Sequence, residues 1–160
     1  MLYIAAILLT FCILYPNARS IWAALQGRNG AHASQGLMAA PEYDYNINLM
    51  ARVIQGEAAT EPYLGKVAIG AVIMNRLDSP LFPKTIPGVI FEPDAFESVS
   101  NGLIWRVAPT RDSYMASQDA LSGWDPTGGA LYYFNPSKPV NWWIWTRPPI
   151  TQIGNHLFLR

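Results

Sequence analysis

The hydrophobic pattern divides the chain into segments of different kinds. Residues 2–15, LYIAAILLTFCILY, form an almost unbroken apolar run. At about 14 residues the run is short of the roughly 20 that cross a bilayer, and it matches the apolar region of an export signal. Arg19 and Arg28 follow it, a charge bias opposite to that of ordinary outward translocation. Residues 1–25 therefore read as a signal or membrane-anchor segment. A small-x-small cleavage match stands at Ala31-His32-Ala33, well beyond the run. Residues 26–45, QGRNGAHASQGLMAAPEYDY, read as a flexible linker rich in Gly, Ala, Asn, Ser and Gln.

From Asn46 the spacing becomes helical. Asn46 is placed to cap a helix reaching about Ala58. Ile47, Met50, Ile54 and Glu57 fall on one face, so a carboxylate ends an apolar stripe. Pro62 breaks this helix at Glu61. A second helix is predicted over Tyr63–Leu77; its run VAIGAVIM is apolar all round, which marks a buried central helix. Gly65 and Gly70 would let a neighbouring element approach it closely. Residues 78–110 carry five prolines and suggest loops with short helices at Ile86–Phe91 and Asp94–Val99. A third helix is predicted over Arg111–Ser122, with Thr110 as its cap and Gly123 just past its end. Leu131–Phe134, Asn141–Thr146 and Ile153–Leu159 are then aromatic or β-branched stretches that suggest a small antiparallel sheet. Helices first and strands last predict an α+β domain over residues 46–160, preceded by an N-terminal apolar helix.

Composition narrows the chemistry. The chain has 160 residues, and only 14% are charged, with equal numbers of acidic and basic groups. A balanced charge argues against nucleic acid as a partner. All 11 acidic residues lie between Glu42 and Asp125, so the front of the chain is a different material from the domain. Cys12 is the only cysteine and sits in the apolar leader, which excludes a disulfide framework and a cysteine nucleophile in the domain. The two histidines are His32, in the linker, and His156, too few for an open zinc site. No G-x-S-x-G elbow, G-x-G-x-x-G or P-loop occurs. Carboxylate chemistry remains, with no metal and no cofactor expected.

Aromatic residues make up 12% of the chain, and five of the six tryptophans follow residue 100. Sugar rings pack their C–H faces on such side chains; the same aromatics could equally fill a small core. A strand at Trp142-Trp143-Ile144-Trp145 would put Trp143 and Trp145 on one face and Trp142 on the other. Glu57 is the first candidate for a general acid, because an apolar setting keeps a carboxyl protonated near neutrality. A helix-end glutamate that merely faces the core is the competing reading. Glu61 is the nearest second carboxylate, although Pro62 turns it away. Asp125 reads as a turn former, and Gly128-Gly129 either completes that turn or allows close approach of a glycan. His156 reads as structural.

Two stretches, Ala51-Arg52-Val53-Ile54-Gln55-Gly56-Glu57-Ala58 and Glu61-Pro62-Tyr63-Leu64-Gly65-Lys66-Val67-Ala68-Ile69-Gly70-Ala71-Val72-Ile73-Met74-Asn75-Arg76, resemble the opening of the SleB-type cell-wall hydrolases, which include the spore-cortex-lytic enzymes. Asp125-Pro126-Thr127-Gly128-Gly129-Ala130-Leu131, Asn135-Pro136 and Ile153-Gly154-Asn155-His156-Leu157-Phe158 match later signatures of that family, in order. The family's usual Glu-Ala-Arg-Gly-Glu is here Glu57-Ala58-Ala59-Thr60-Glu61. The resemblance implies a lysozyme-like catalytic domain acting on peptidoglycan glycan strands, at the β-1,4 bond from N-acetylmuramic acid to N-acetylglucosamine. It implies a lytic transglycosylase with Glu57 as catalytic glutamate. A muramidase that adds water and a non-catalytic glycan-binding module are the alternatives. Glu61, Tyr63, Thr127, Gly128, Tyr133, Asn135 and Trp143 are the candidate substrate-binding residues. The expected setting is a monomer in the cell envelope or secreted, of bacterial or phage context, touching membrane through its N-terminal segment.

Overall fold

A computed structural model describes residues 40–160; the apolar leader and the linker up to residue 39 lie outside the described residues. Helix α1 spans Ala40–Ala58, so it begins ahead of Asn46, and residues 40–45 are helical rather than linker. Pro41 is tolerated there because first-turn N–H groups have no helical partner, and Glu42 complements the positive end of the helix. Asn46 is buried inside the helix instead of capping it. Leu49, Met50, Val53 and Ile54 form the buried stripe.

Helix α2, Tyr63–Asp78, packs against both α1 and α6 (Arg111–Leu121), and Gly65 to Ile73 are all buried. Its glycine at position 70 is needed for contact. A side-chain carbon there would stand 2.7 Å from Ala120 Cβ on α6 and 3.2 Å from Ile54 Cδ1 on α1. Gly70→Val should therefore destabilise the protein by about 1–3 kcal/mol, the usual cost of overpacking. Urea denaturation checks this; an unchanged midpoint would mean that the helices can separate freely. Helix α6 starts as predicted, with Thr110 Oγ1 accepting from Ser113 N at 3.3 Å, and Gly123 beyond its end has φ +96°.

Between α2 and α6 lie three short helices, α3 (Ile86–Ile90), α4 (Glu97–Ser100) and α5 (Leu103–Arg106). The second begins three residues later than expected, and α5 was not predicted. Four residues are one turn, too few to show a periodicity.

The sheet differs from expectation more. Strands β1 (Tyr132–Phe134), β2 (Pro149–Ile153) and β3 (His156–Leu159) form an antiparallel sheet in the order β1-β3-β2. Tyr133 faces Phe158 across one pair and Gln152 faces Leu157 across the other. The predicted strand Asn141–Thr146 is instead a 3₁₀-helix over Trp142–Thr146. Pro136, Pro139, Pro148 and Pro149 crowd this region, and prolines cannot donate to a strand ladder. Ile153–Leu159 is not one strand but part of a hairpin. Its loop is Gly154-Asn155, and Gly154 takes φ +59°, the positive value that a two-residue hairpin needs at its first loop position.

Two clusters of buried side chains make up most of the core. One gathers Leu49, Met50, Val53, Ile73, Ile90, Phe96 and Ile104; the other gathers Ile54, Val67, Val72 and Phe158. Tyr133 packs against both, which places β1 at the seam between helices and sheet.

Candidate active site

A groove of about 710 Å³ runs along that seam. Gly56 and Glu57 from the end of α1 line it, with Arg76 from the end of α2 and Ser98 from α4. Tyr132, Tyr133 and Asn135 from β1 and its exit line it too, with Lys138, Trp143 and His156. Glu92, Asp94 and Glu97 add negative charge.

Glu57 is half-buried, at the end of the stripe that the helix period predicted. Its surroundings are mixed rather than apolar. Ser98 N donates to Glu57 Oε1 at 2.7 Å, and the Tyr133 hydroxyl donates to the same carboxylate. Burial, then the adjacent Glu57 charge, pushes the Tyr133 phenol well above its ordinary pKa of 10.0. Tyr133 is thus held as a proton-bearing donor. Its ring meets His156 edge-on at 5.4 Å and packs near Phe96 and Phe158.

His156 is buried and lines the groove. Burial lowers its pKa from 6.5, against the raising influence of Glu61 and Glu57, while Lys138 lowers it further. It is therefore neutral near pH 7, and its 3.7 Å approach to Glu61 is a contact without a full ion pair. Arg76 is buried beneath the groove, its Nε donating to Leu131 O at 2.8 Å. Its guanidinium is surrounded by the rings of Phe82, Phe96 and Tyr132 at 5.1–5.9 Å.

Trp143 reaches the groove because the segment is a 3₁₀-helix. Three residues per turn put Trp142 and Trp145 on one side. Trp142 is 77% and Trp145 58% exposed, Ile144 is buried, and Trp143 lines the groove. Trp143 meets Tyr132 edge-on at 5.7 Å, and Arg147 lies over both rings.

Of the predicted site residues, Glu57, Tyr133, Asn135 and Trp143 share this groove, whereas Glu61, Tyr63, Thr127 and Gly128 do not line it. Each of those four has another position. Glu61 is buried and accepts from Asn155 N and Asn155 Nδ2, both at 2.9 Å, so it clamps the hairpin loop. Burial alone would raise its pKa, but the Asn155 hydrogen bonds and the His156 and Lys66 charges hold it below 4.5. Tyr63 donates to Asp119 Oδ2 at 2.6 Å, tying α2 to α6. Its pKa is pushed up to about 12 by burial and by Asp119. Thr127 and Gly128 belong to the turn that Asp125 organises. Asp125 accepts from Thr127 N and Gly129 N at 2.7 Å and from Asn75 Nδ2 at 3.0 Å.

Sequence reasoning missed Arg76, Ser98 and the groove position of His156. Arg76 had a signal, as the single cation at the end of an otherwise apolar run. Ser98 had none, because its contribution is a backbone N–H.

The groove is thus lined by aromatic rings around a half-buried carboxyl. The same domain occurs in known proteins. A profile described as Cell Wall Hydrolase matches residues 60–159, beginning just after Glu57. The chain is 56% identical over 115 residues to a spore cortex-lytic enzyme of Oceanobacillus iheyensis, covering 72% of this chain and 41% of that protein. It thus spans less than half the length of that relative. The catalytic domain of Bacillus cereus SleB superposes with a TM-score of 0.68 at 52% identity, covering 73% of this chain and 91% of that one. The catalytic domain of the germination-specific lytic transglycosylase SleB from Bacillus anthracis gives the same score and identity over 72% of this chain and 93% of that one. With the profile covering most of the domain and the fold shared with these catalytic domains, the chain belongs to the SleB-type cell wall hydrolase family.

Proposed function

We propose that this protein cleaves the β-1,4 bond from N-acetylmuramic acid to N-acetylglucosamine in peptidoglycan, as a lytic transglycosylase. The observation that carries the reading is Glu57, fixed in an aromatic-lined groove by Ser98 N–H and Tyr133 O–H. The Ser98 bond occupies Oε1 as an acceptor, which leaves the acidic proton to Oε2. Glu57 gives this proton to the glycosidic oxygen as the bond from muramic C1 breaks, and the leaving sugar departs with a free 4-hydroxyl. The carboxylate then takes the proton of the muramic 6-hydroxyl, whose oxygen closes on C1. A 1,6-anhydro product results, Glu57 is protonated again, and no water is consumed. One carboxylate serves both steps. Tyr133, Asn135 and Trp143 would contact the sugars, Trp143 through its ring face.

The 52% identity to a domain described as a lytic transglycosylase supports this reading. So does the placing of Glu61, whose two oxygens are committed to Asn155 and which does not line the groove. A water-adding muramidase has one observation in its favour: Glu92, Asp94 and Glu97 line the same groove, and hydrolases of the common kind use a second carboxylate. Export or anchoring by residues 1–25, with action in the cell envelope, completes the proposal.

Mass spectrometry of products from purified peptidoglycan is the test. Glycan fragments ending in anhydro-muramic acid are expected. Products with reducing muramic ends, heavier by one water, would overturn the transglycosylase assignment in favour of the muramidase. Intact glycan would leave only a binding role.

A further inference from the structure

We propose that Gly56 is a positioning residue for the reaction: its missing side chain lets α4 press against α1 closely enough for Ser98 N–H to hold Glu57. This inference rests on Glu57 being the acid.

Nothing in the local backbone calls for glycine at position 56. It lies within α1, its φ is not positive, and in a helix interior alanine is intrinsically the better residue. What calls for glycine is the neighbour. A side-chain carbon on Gly56 would collide with Ser98 Cβ and stand 2.8 Å from Ser98 Oγ. Ser98 is buried and its side chain is too short to swing clear, so the collision is relieved only if the backbone of α4 retreats.

That backbone carries the contact to Glu57. Ser98 lies in the first turn of α4, where N–H groups have no partner within the helix and can point outward. Its N–H reaches Glu57 Oε1 at 2.7 Å. A retreat of about 1 Å would take this beyond hydrogen-bond range. Oε1 would lose its fixed donor, and the carboxyl would turn about its side-chain bonds relative to the glycosidic oxygen. The close approach of residues 56 and 98 and the orientation of Glu57 are thus one feature.

The test is a double-mutant cycle on the full chain, using purified peptidoglycan glycan strands, with kcat, KM and thermal unfolding measured for each variant. Gly56→Ala is expected to lower kcat about 100-fold, the scale of a misplacement near 1 Å, with KM little changed. Ser98→Gly removes the colliding atoms while keeping the N–H. The double variant Gly56→Ala with Ser98→Gly should therefore regain the kcat of Ser98→Gly alone. In ¹⁵N-labelled protein, the Ser98 amide should lose its protection from hydrogen exchange in Gly56→Ala and recover it in the double variant. Parent-like kcat in Gly56→Ala overturns the proposal. So does a double variant that stays inactive or unfolded, since the damage then does not come from the contact with Ser98. If Glu57→Gln proves fully active, the catalytic reading itself has failed, and the exchange data still judge the packing separately.

Discussion

Glu57→Gln is expected to lower cleavage of purified peptidoglycan by about 10²–10⁴-fold, the usual contribution of general acid–base catalysis. The substitution is nearly isosteric. The amide oxygen can still accept from Ser98 N–H, so the approach of α4 to α1 survives. Only the transferable proton is lost. Far-UV circular dichroism and the unfolding midpoint should match the parent, which separates this effect from misfolding. On the proposed transglycosylase mechanism, anhydro-ended product should fall in proportion to rate, because one carboxylate would serve both proton transfers. A folded variant that releases fragments at the parent rate would remove Glu57 from the mechanism.

The second large effect concerns stability. Glu61→Ala should destabilise the protein by about 3 kcal/mol, because two hydrogen bonds to a buried carboxylate are lost and each is worth roughly 1.5–3 kcal/mol. The Gly154-Asn155 loop would lose its anchor, since Glu61 lies directly against Gly154 as well as bonding Asn155. The loss should depend on pH in a defined direction. The Glu61 pKa is lower in the folded chain than its ordinary 4.5, so the folded state binds fewer protons than the unfolded state. Its stabilisation is fully present above about pH 4.5 and disappears as pH falls through the folded value. Urea denaturation of parent and variant across this range should show the gap closing in acid. A gap below about 0.5 kcal/mol at pH 7, the scale of an ordinary surface change, would show that the clamp contributes little.

These two glutamates show how unevenly the sequence could be read. Both lie near the end of α1, and the helix period placed Glu57 on the inner stripe without difficulty. Pro62 correctly signalled that Glu61 turns away. Its destination could not be read, because the partner is Asn155, 94 positions along the chain. Helices α2 and α6 were legible for the same reason as Glu57. The apolar run of α2 is long, and Thr110 and Gly123 mark the limits of α6. Residues 131–160 were harder. Trp142 to Trp145 have the side chains of a strand, but four nearby prolines decide the backbone, and side-chain preference gave the wrong answer. The Gly154-Asn155 pair is a recognised hairpin signal, but the apolar residues on both sides of it continue one strand pattern across the turn and mask it. Ser98 lay beyond any side-chain reasoning, because packing at Gly56 selects it and its backbone does the binding.

The Glu61–Asn155 clamp also bears on how the site comes into being. Contacts between residues far apart in sequence form late, since the loop they close must first be ordered. The helix carrying Glu57 can form from local interactions, while the wall bearing His156 waits for the hairpin to dock across that long loop. A chain caught partway would hold Glu57 on an open surface, with nothing opposite it. The groove should therefore appear in one late step, and an incompletely folded copy would have Glu57 without the opposite wall.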